Sequence, residues 1–190
     1  MDQGLVDAVF SIQAQYRSAD PNRGVLGRLQ KFRREEAEVV NDLRALKSLG
    51  SGRIREIMGD SVTAKKLKAD AVVEAADAYV ALGIVRAQDF LNAHPAEMKR
   101  VYTQVQGLGW VTFEYFSMLL GQPGVKADRM ITRFVNNALA RAGRPHVGNN
   151  EARELLIGSY NNLKLGETLS HFEHAIWLYE SDVSKDRRRR

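Results

Sequence analysis

Apolar residues recur at three- and four-residue spacing along almost the whole chain, and no stretch sustains the alternation of a half-buried strand. This pattern restricts the fold to packed helices. Leu5, Val9, Ile12 and Tyr16 mark a first helix, broken at Asp20-Pro21. Leu26, Leu29, Phe32, Val39, Leu43 and Leu46 predict one long second helix, stopped by Gly50-Ser51-Gly52. A short segment with Ile54, Ile57 and Met58 follows. Thr63 is placed to cap a helix over 64–82 that Gly83 ends. A short helix is expected over 87–91, and Pro95 suits the first turn of the next. Further helices are expected over 110–120, 128–142, 150–163 and 166–181. The chain therefore reads as an all-α protein of nine or ten helices, with no internal repeat and no low-complexity linker.

A chain of 190 residues can bury a substantial core. It contains no cysteine, which excludes disulfides, cysteine-ligated zinc, iron–sulfur clusters and thiol catalysis. The first residues lack the basic and apolar regions of a signal peptide. No apolar stretch reaches the roughly 18 residues of a membrane span. No membrane association and a cytoplasmic location are the expectation. Lys and Arg total 28 against 23 Asp and Glu, a net charge of +5 that permits nucleic-acid binding without establishing it. Residues 183–190 read as a loose basic tail ending in Arg187–Arg190, either a solubilising end or a phosphate-binding one.

The most informative stretch is 105–135. Gly107-Leu108-Gly109 separates two helical segments. Glycines there can adopt left-handed angles and admit a phosphate to the backbone, or can simply connect helices. A second loop, Gly121 to Ala127, ends in Asp128, a favoured N-cap for the helix that follows. A capping carboxylate can still turn one oxygen toward a cleft. Lys99, Arg100, Lys126, Arg129 and Arg133 lie nearby in sequence, as phosphate contacts or as solvated charge. Trp110, Tyr115 and Phe116 could line a base pocket or fill the core.

These residues resemble the helix-hairpin-helix DNA glycosylase superfamily, which includes endonuclease III and the mismatch adenine glycosylases. Its Leu-Pro-Gly-Val-Gly hairpin corresponds to Val105-Gln106-Gly107-Leu108-Gly109, its following apolar helix to Thr112 through Leu120, and its Val-Asp to Ala127-Asp128. Arg133-Phe134-Val135 stands where the family has an Arg-Val pair. Thr63 through Tyr79 resembles the lysine- and alanine-bearing helix that precedes the hairpin, and His174-Ala-Ile-Trp177 resembles a closing core helix. The resemblance spans roughly residues 30–180. Two departures stand out. Gln106 replaces a proline, and Val111 occupies the position of the lysine nucleophile of bifunctional members.

The resemblance implies a two-lobed glycosylase-like unit over 1–182, with a central lobe over about 50–142 and the other lobe built from about 1–49 and 143–182. It implies a monofunctional DNA N-glycosylase of the base-excision repair type. Asp128 would be the catalytic carboxylate. Gly107, Leu108, Gly109, Lys126, Arg129 and Arg133 would hold the DNA backbone, and Trp110 and Tyr115 would line the base pocket. A monovalent cation at the hairpin backbone is part of the family's pattern. No side-chain metal site or other cofactor is implied. The partner would be double-stranded DNA, the protein a monomer, its location the nucleoid. The alternative is a non-catalytic hairpin module that binds DNA or another partner. His171 and His174 with Glu167 and Glu173 fit no standard metal-ligand spacing and read as structural or surface residues.

Overall fold

The computed structural model describes residues 1–20 and 23–188, with side chains described through Ser181. Two compact units result, Met1–Leu120 and Gly121–Arg190. The protein is all-α, apart from one minimal hairpin.

The first unit holds α1 (Asp2–Phe10), α2 (Gly24–Glu35), α3 (Leu43–Met58), β1 (Val62–Thr63), β2 (Lys66–Leu67), α4 (Lys68–Ala81), α5 (Ala87–Asn92), α6 (Pro95–Gln104) and α7 (Trp110–Leu119). The two strands pair antiparallel, Val62 with Leu67 and Thr63 with Lys66. Helix α4 is the axis of this unit. Its buried Ala69, Ala71, Val72, Ala75 and Ala76 are small enough for α1, α3 and α6 all to pack against it. Beside them Tyr79, Phe90, Tyr102, Phe113 and Phe116 form an aromatic cluster with ring centroids 5.2–6.1 Å apart. The Tyr79 hydroxyl donates to Met98 O at 2.9 Å, so the cluster carries its polar atom satisfied.

Several boundaries differ from the sequence pattern, each for a local reason. Helix α1 ends at Phe10, short of Tyr16. Gln13 turns left-handed (φ 47°), and Lys68 Nζ donates to Phe10 O (3.1 Å) and Ile12 O (2.6 Å). Lys68 is 2% exposed, and burial pulls its pKa down. Its ammonium group meets the negative end of α1. The predicted second helix is two helices. Chain direction changes after Glu35, Asn41 is left-handed (φ 55°), and Asp42 opens α3 by accepting from the N–H groups of Arg44 and Ala45. Gly50 (φ 76°) kinks α3 without stopping it. Thr63 lies in β1 and does not cap α4, which starts after Leu67. Pro21 lies outside the described residues.

The second unit holds the loop 121–128 and three mutually contacting helices, α8 (Arg129–Arg141), α9 (Asn149–Leu163) and α10 (Leu169–Arg188). Val125, Ala127, Ile131, Val135, Ala152, Leu156 and Ile176 are buried in it. Asn136 clamps the α8–α9 loop, donating to Val147 O (3.1 Å) and accepting from Val147 N–H (2.8 Å). The backbone of α10 stays helical through Arg188, where a loose tail from 183 was expected; Arg189 and Arg190 lie outside the described residues. Among the described residues no helix is long and apolar enough to cross a membrane.

The division after Leu120 differs from a lobe over 50–142 with both chain ends in the other. Helix α1 packs on α4 and α7, so the N-terminal segment shares one core with the middle of the chain, whereas α8 belongs with α9 and α10.

Lys68→Met removes the donor for two main-chain carbonyls at a buried site. The expected loss is about 2–3 kcal/mol of unfolding free energy, read from urea denaturation against the wild type.

Candidate nucleic-acid interface and the Asp128 carboxylate

The glycine turn belongs to the first unit. Helix α6 begins with Pro95 at its first position and buries Met98, Val101 and Tyr102. Val105 then leaves the helix in extended conformation, and Leu108 N–H donates back to Val105 O at 3.0 Å. Both side chains are buried, which pins the ends of a four-residue turn. Gly107 at its third position has φ 88°, the geometry of a type II turn. Proline favours the second position of such turns, and here that position is Gln106. Its Nε2 donates to Ala64 O at 3.0 Å, and Thr63 Oγ1 donates to Gly107 O at 2.9 Å. Hydrogen bonds from the β1–β2 hairpin thus hold a turn that lacks the proline.

The two glycines differ. A Cβ on Gly107 would stand 2.7 Å from Thr63 Cγ2 and 2.9 Å from Thr63 O. Gly109 is extended (φ −117°, ψ 172°), is exposed, and has nothing within 4 Å of a Cβ position. It opens α7 without a side-chain cap of its own. Thr112 Oγ1 accepts from Gly109 N–H at 3.3 Å and donates to Gly109 O at 2.8 Å. The carbonyl of Gly109 also accepts from Phe113 N–H, while Val105 O and Gly107 O each accept one bond. Val105 O and Gly107 O therefore keep a lone pair each, a donor set compatible with a monovalent cation.

Lys99 reaches across from α6 to Trp110, with Nζ 5.7 Å from the ring centroid. Trp110 is half-buried at the mouth of α7 and Lys99 is exposed. Tyr115 points elsewhere. Its hydroxyl lies 3.4 Å from both Asp7 Oδ2 and Tyr16 Oη, inside the first unit. Burial, then the Asp7 charge, pushes the Tyr115 hydroxyl far above its usual range and that of Tyr16 up to about 12. Tyr115 is thus part of a half-buried hydroxyl–carboxylate cluster with Asp7 and Tyr16. Phe116 is fully buried in the aromatic cluster.

Asp128 belongs to the second unit. It is the N-cap of α8, half-buried, and its Oδ1 accepts from Met130 N–H (2.8 Å) and Ile131 N–H (3.2 Å). Both cap bonds go to one oxygen. The loop before it is tightly wound, with Ala127 N–H on Val125 O (3.0 Å) and Asp128 N–H on Lys126 O (2.6 Å). Arg129 is exposed and Lys126 half-buried. Arg133 is engaged elsewhere. Its Nε lies 2.5 Å from Glu180 Oε2 and its Nη2 donates to Glu180 O (3.1 Å), tying α8 to α10. The pair is largely buried, which gives Arg133 a structural task where a backbone contact was expected.

One residue of this neighbourhood was read only as structural or surface. Glu173, on α10, is 5% exposed, and its carboxyl group accepts from Lys126 N–H. Burial, reinforced by the Asp128 charge, pushes it up to about 8, partly offset by Lys126. The sequence held a signal. Glu173, Ile176 and Glu180 fall on one helical stripe, so two acids occupy core-facing positions. His171 pairs loosely with Glu167 at 3.6 Å on the surface, and His174 stacks on Trp177. Among the described residues no group of three or more His, Cys, Asp or Glu is arranged to hold a metal ion.

Residues 3–181 match the family described as Domain of unknown function (DUF8548). The chain belongs to this family. The match runs through both compact units. No curated protein and no solved structure matches the chain.

Gly107→Ala places a side chain at a left-handed position against Thr63 and is expected to destabilise the first unit by roughly 1–3 kcal/mol. Gly109→Ala is expected to change stability by less than about 0.5 kcal/mol. Urea denaturation of the two variants checks the contrast.

Proposed function

We propose that this protein is a monofunctional DNA N-glycosylase that removes a damaged, mispaired or modified base from double-stranded DNA. The observation that carries this reading is the cap geometry of Asp128. It holds α8 through Oδ1 alone, which leaves its second carboxylate oxygen outside the cap, at the position that resembles the superfamily's catalytic aspartate. The mostly helical build and the glycine turn with exposed Gly109 agree with it. The reading takes the ten described helices as a glycosylase-like arrangement acting as a monomer on chromosomal DNA.

The chemistry is hydrolysis. The target base leaves the stack, at a cost of a few kcal/mol that a weakened pair reduces. The C1′–N bond breaks with its electron pair going to the base, which takes up a proton. Water oxygen bonds to C1′ and releases its proton to solvent. Positive charge builds on the sugar between these events, and Asp128 stabilises it. Val111 supplies no amine, so no Schiff base forms there and the strand is left intact. Gly107, Leu108 and Gly109 hold the phosphate backbone, with Lys99 beside them and Lys126 and Arg129 near Asp128 in sequence. A monovalent cation held by Val105 O and Gly107 O would add charge for the phosphate.

A second reading, a non-catalytic module that binds DNA or another partner, is favoured by one observation. Arg133, where the superfamily has its Arg-Val pair, is committed to Glu180.

Duplexes carrying a panel of lesions, mismatches and modified bases are incubated with the protein and treated with alkali to reveal abasic sites. Release of at least one base is expected. Asp128→Asn should lower the rate at least about 100-fold while keeping DNA affinity, because asparagine also caps a helix. Asp128→Ala should in addition cost about 1 kcal/mol of stability. Full activity of Asp128→Asn rejects the catalytic assignment. Binding with every base inert supports the module.

A further inference from the structure

Residues 129–150 form the longest stretch of the chain without an aspartate or glutamate, and they hold four arginines and a histidine. Arg133 is taken up by Glu180. Arg129, Arg141 and Arg144 are exposed, and among the described residues none of the three has a partner for its side chain. Arg141 closes α8, and Arg144 and the exposed His146 follow in the loop to α9.

This loop is fixed at several points. Gly143 turns left-handed (φ 66°), which brings Gly143 N–H to Ala140 O (3.1 Å) and Arg144 N–H to Leu139 O (2.9 Å) and closes the end of α8. Pro145 restricts the next backbone step. Asn136 then holds Val147 by both its N–H and its carbonyl. Glu151, the first acid after the loop, accepts from Gly148 N–H at 2.8 Å. Three basic side chains are thus presented from an ordered backbone, and binding through them costs little further ordering of the chain.

Basic groups gathered with no acid among them repel one another, and an anion relieves that repulsion. Guanidinium groups meet phosphate through paired N–H donors. Between 129 and 150 no large apolar side chain is exposed. A protein interface has an apolar centre, and a membrane-surface element inserts apolar side chains; this loop offers neither. A backbone of closely spaced phosphates matches what it does offer.

We propose that the α8–α9 loop is a second phosphate-binding surface, in which Arg141, Arg144 and His146 hold the backbone of double-stranded DNA to one side of Asp128. Helix α8 has 13 residues, which sets the loop roughly 20 Å from Asp128 along the helix. With the duplex lying along α8, that is about six base pairs at a rise of about 3.4 Å. Such contacts fix the register of the duplex and do not read its sequence. The placement beside a target base rests on the glycosylase reading; the binding of duplex phosphates does not.

The test measures binding of the full chain to a fluorescein-labelled duplex without lesions, by fluorescence anisotropy over a series of potassium chloride concentrations. A loop variant, Arg141→Gln with Arg144→Gln, alters exposed side chains without partners and should keep the wild-type urea midpoint. It should weaken binding at least about 10-fold at low salt and make the slope of log affinity against log salt shallower by about 1–2. A control variant, Arg17→Gln with Arg34→Gln, removes the same charge from exposed positions of the first unit and should leave the slope unchanged. A slope that the loop variant leaves unmoved, or that both variants lower equally, overturns the surface, as does a wild-type protein that does not bind the duplex. The base-release assay separates this outcome from the proposed activity. A salt slope that depends on the loop, in a protein that releases no base, rejects the glycosylase reading and leaves the surface standing. Base release with a slope indifferent to the loop rejects the surface and leaves the glycosylase reading standing.

Discussion

The first unit depends on one helix whose buried side chains are mostly small. Along α4 the buried positions are mostly alanine, and α1, α3 and α6 can all approach its backbone. A larger residue at Ala71 or Ala75 would have to displace a neighbouring helix, because cores of this density have no slack. The same packing fixes what flanks α4. At its start, Lys68 is drawn into the core and becomes the cap of α1. Immediately before it, the β1–β2 hairpin is held against the glycine turn. The shape of that turn is therefore set partly from outside it. Thr63 occupies the space a Cβ of residue 107 would need, and Gln106 anchors the turn by a side-chain bond where proline would have done so by restricting the backbone.

The helical character of the chain was legible because every long element has a stripe of apolar residues at helical spacing. The ends were less so, and the misplaced ones share a cause. Helix α1 stops where a lysine distant in sequence caps its carbonyls, and no local signal announces such a cap. The break between α2 and α3 falls in a charge-dense stretch, Glu35 to Glu38, whose residues continue the helical pattern on paper. The actual punctuation is Asn41 in the left-handed region and Asp42 as a cap. Gly50 was read as a stop, yet buried Ile54, Ile57 and Met58 continue the core contact beyond it, and packing turns the stop into a kink. Position-specific signals did better. Pro95 at the head of α6 and Asp128 at the head of α8 act on the backbone next to them in sequence, Pro95 through its ring and Asp128 through its carboxylate, which makes them visible in one dimension.

Side-chain partners were the illegible part of the candidate site. Tyr115 lies close in sequence to the turn, but helical geometry sends it to Asp7 and Tyr16, while Trp110, at the first position of α7, meets Lys99. Arg133 is one turn into α8 from Asp128, and its partner is an acid of α10. In each case proximity along the chain was a poor guide because direction around a helix decides what a side chain meets.

Helix α10 keeps two acids inside the second unit. Glu180 is matched by a guanidinium, which retains its charge and leaves the pair neutral. Glu173 is also buried, and there burial is the first influence on the carboxyl group, which it pushes up, with the Asp128 charge adding to the push and Lys126 opposing it. One helix thus carries two inward-facing acids, of which only Glu180 is tied by a guanidinium to α8, and that tie rather than the apolar stripe alone fixes how α10 lies against α8.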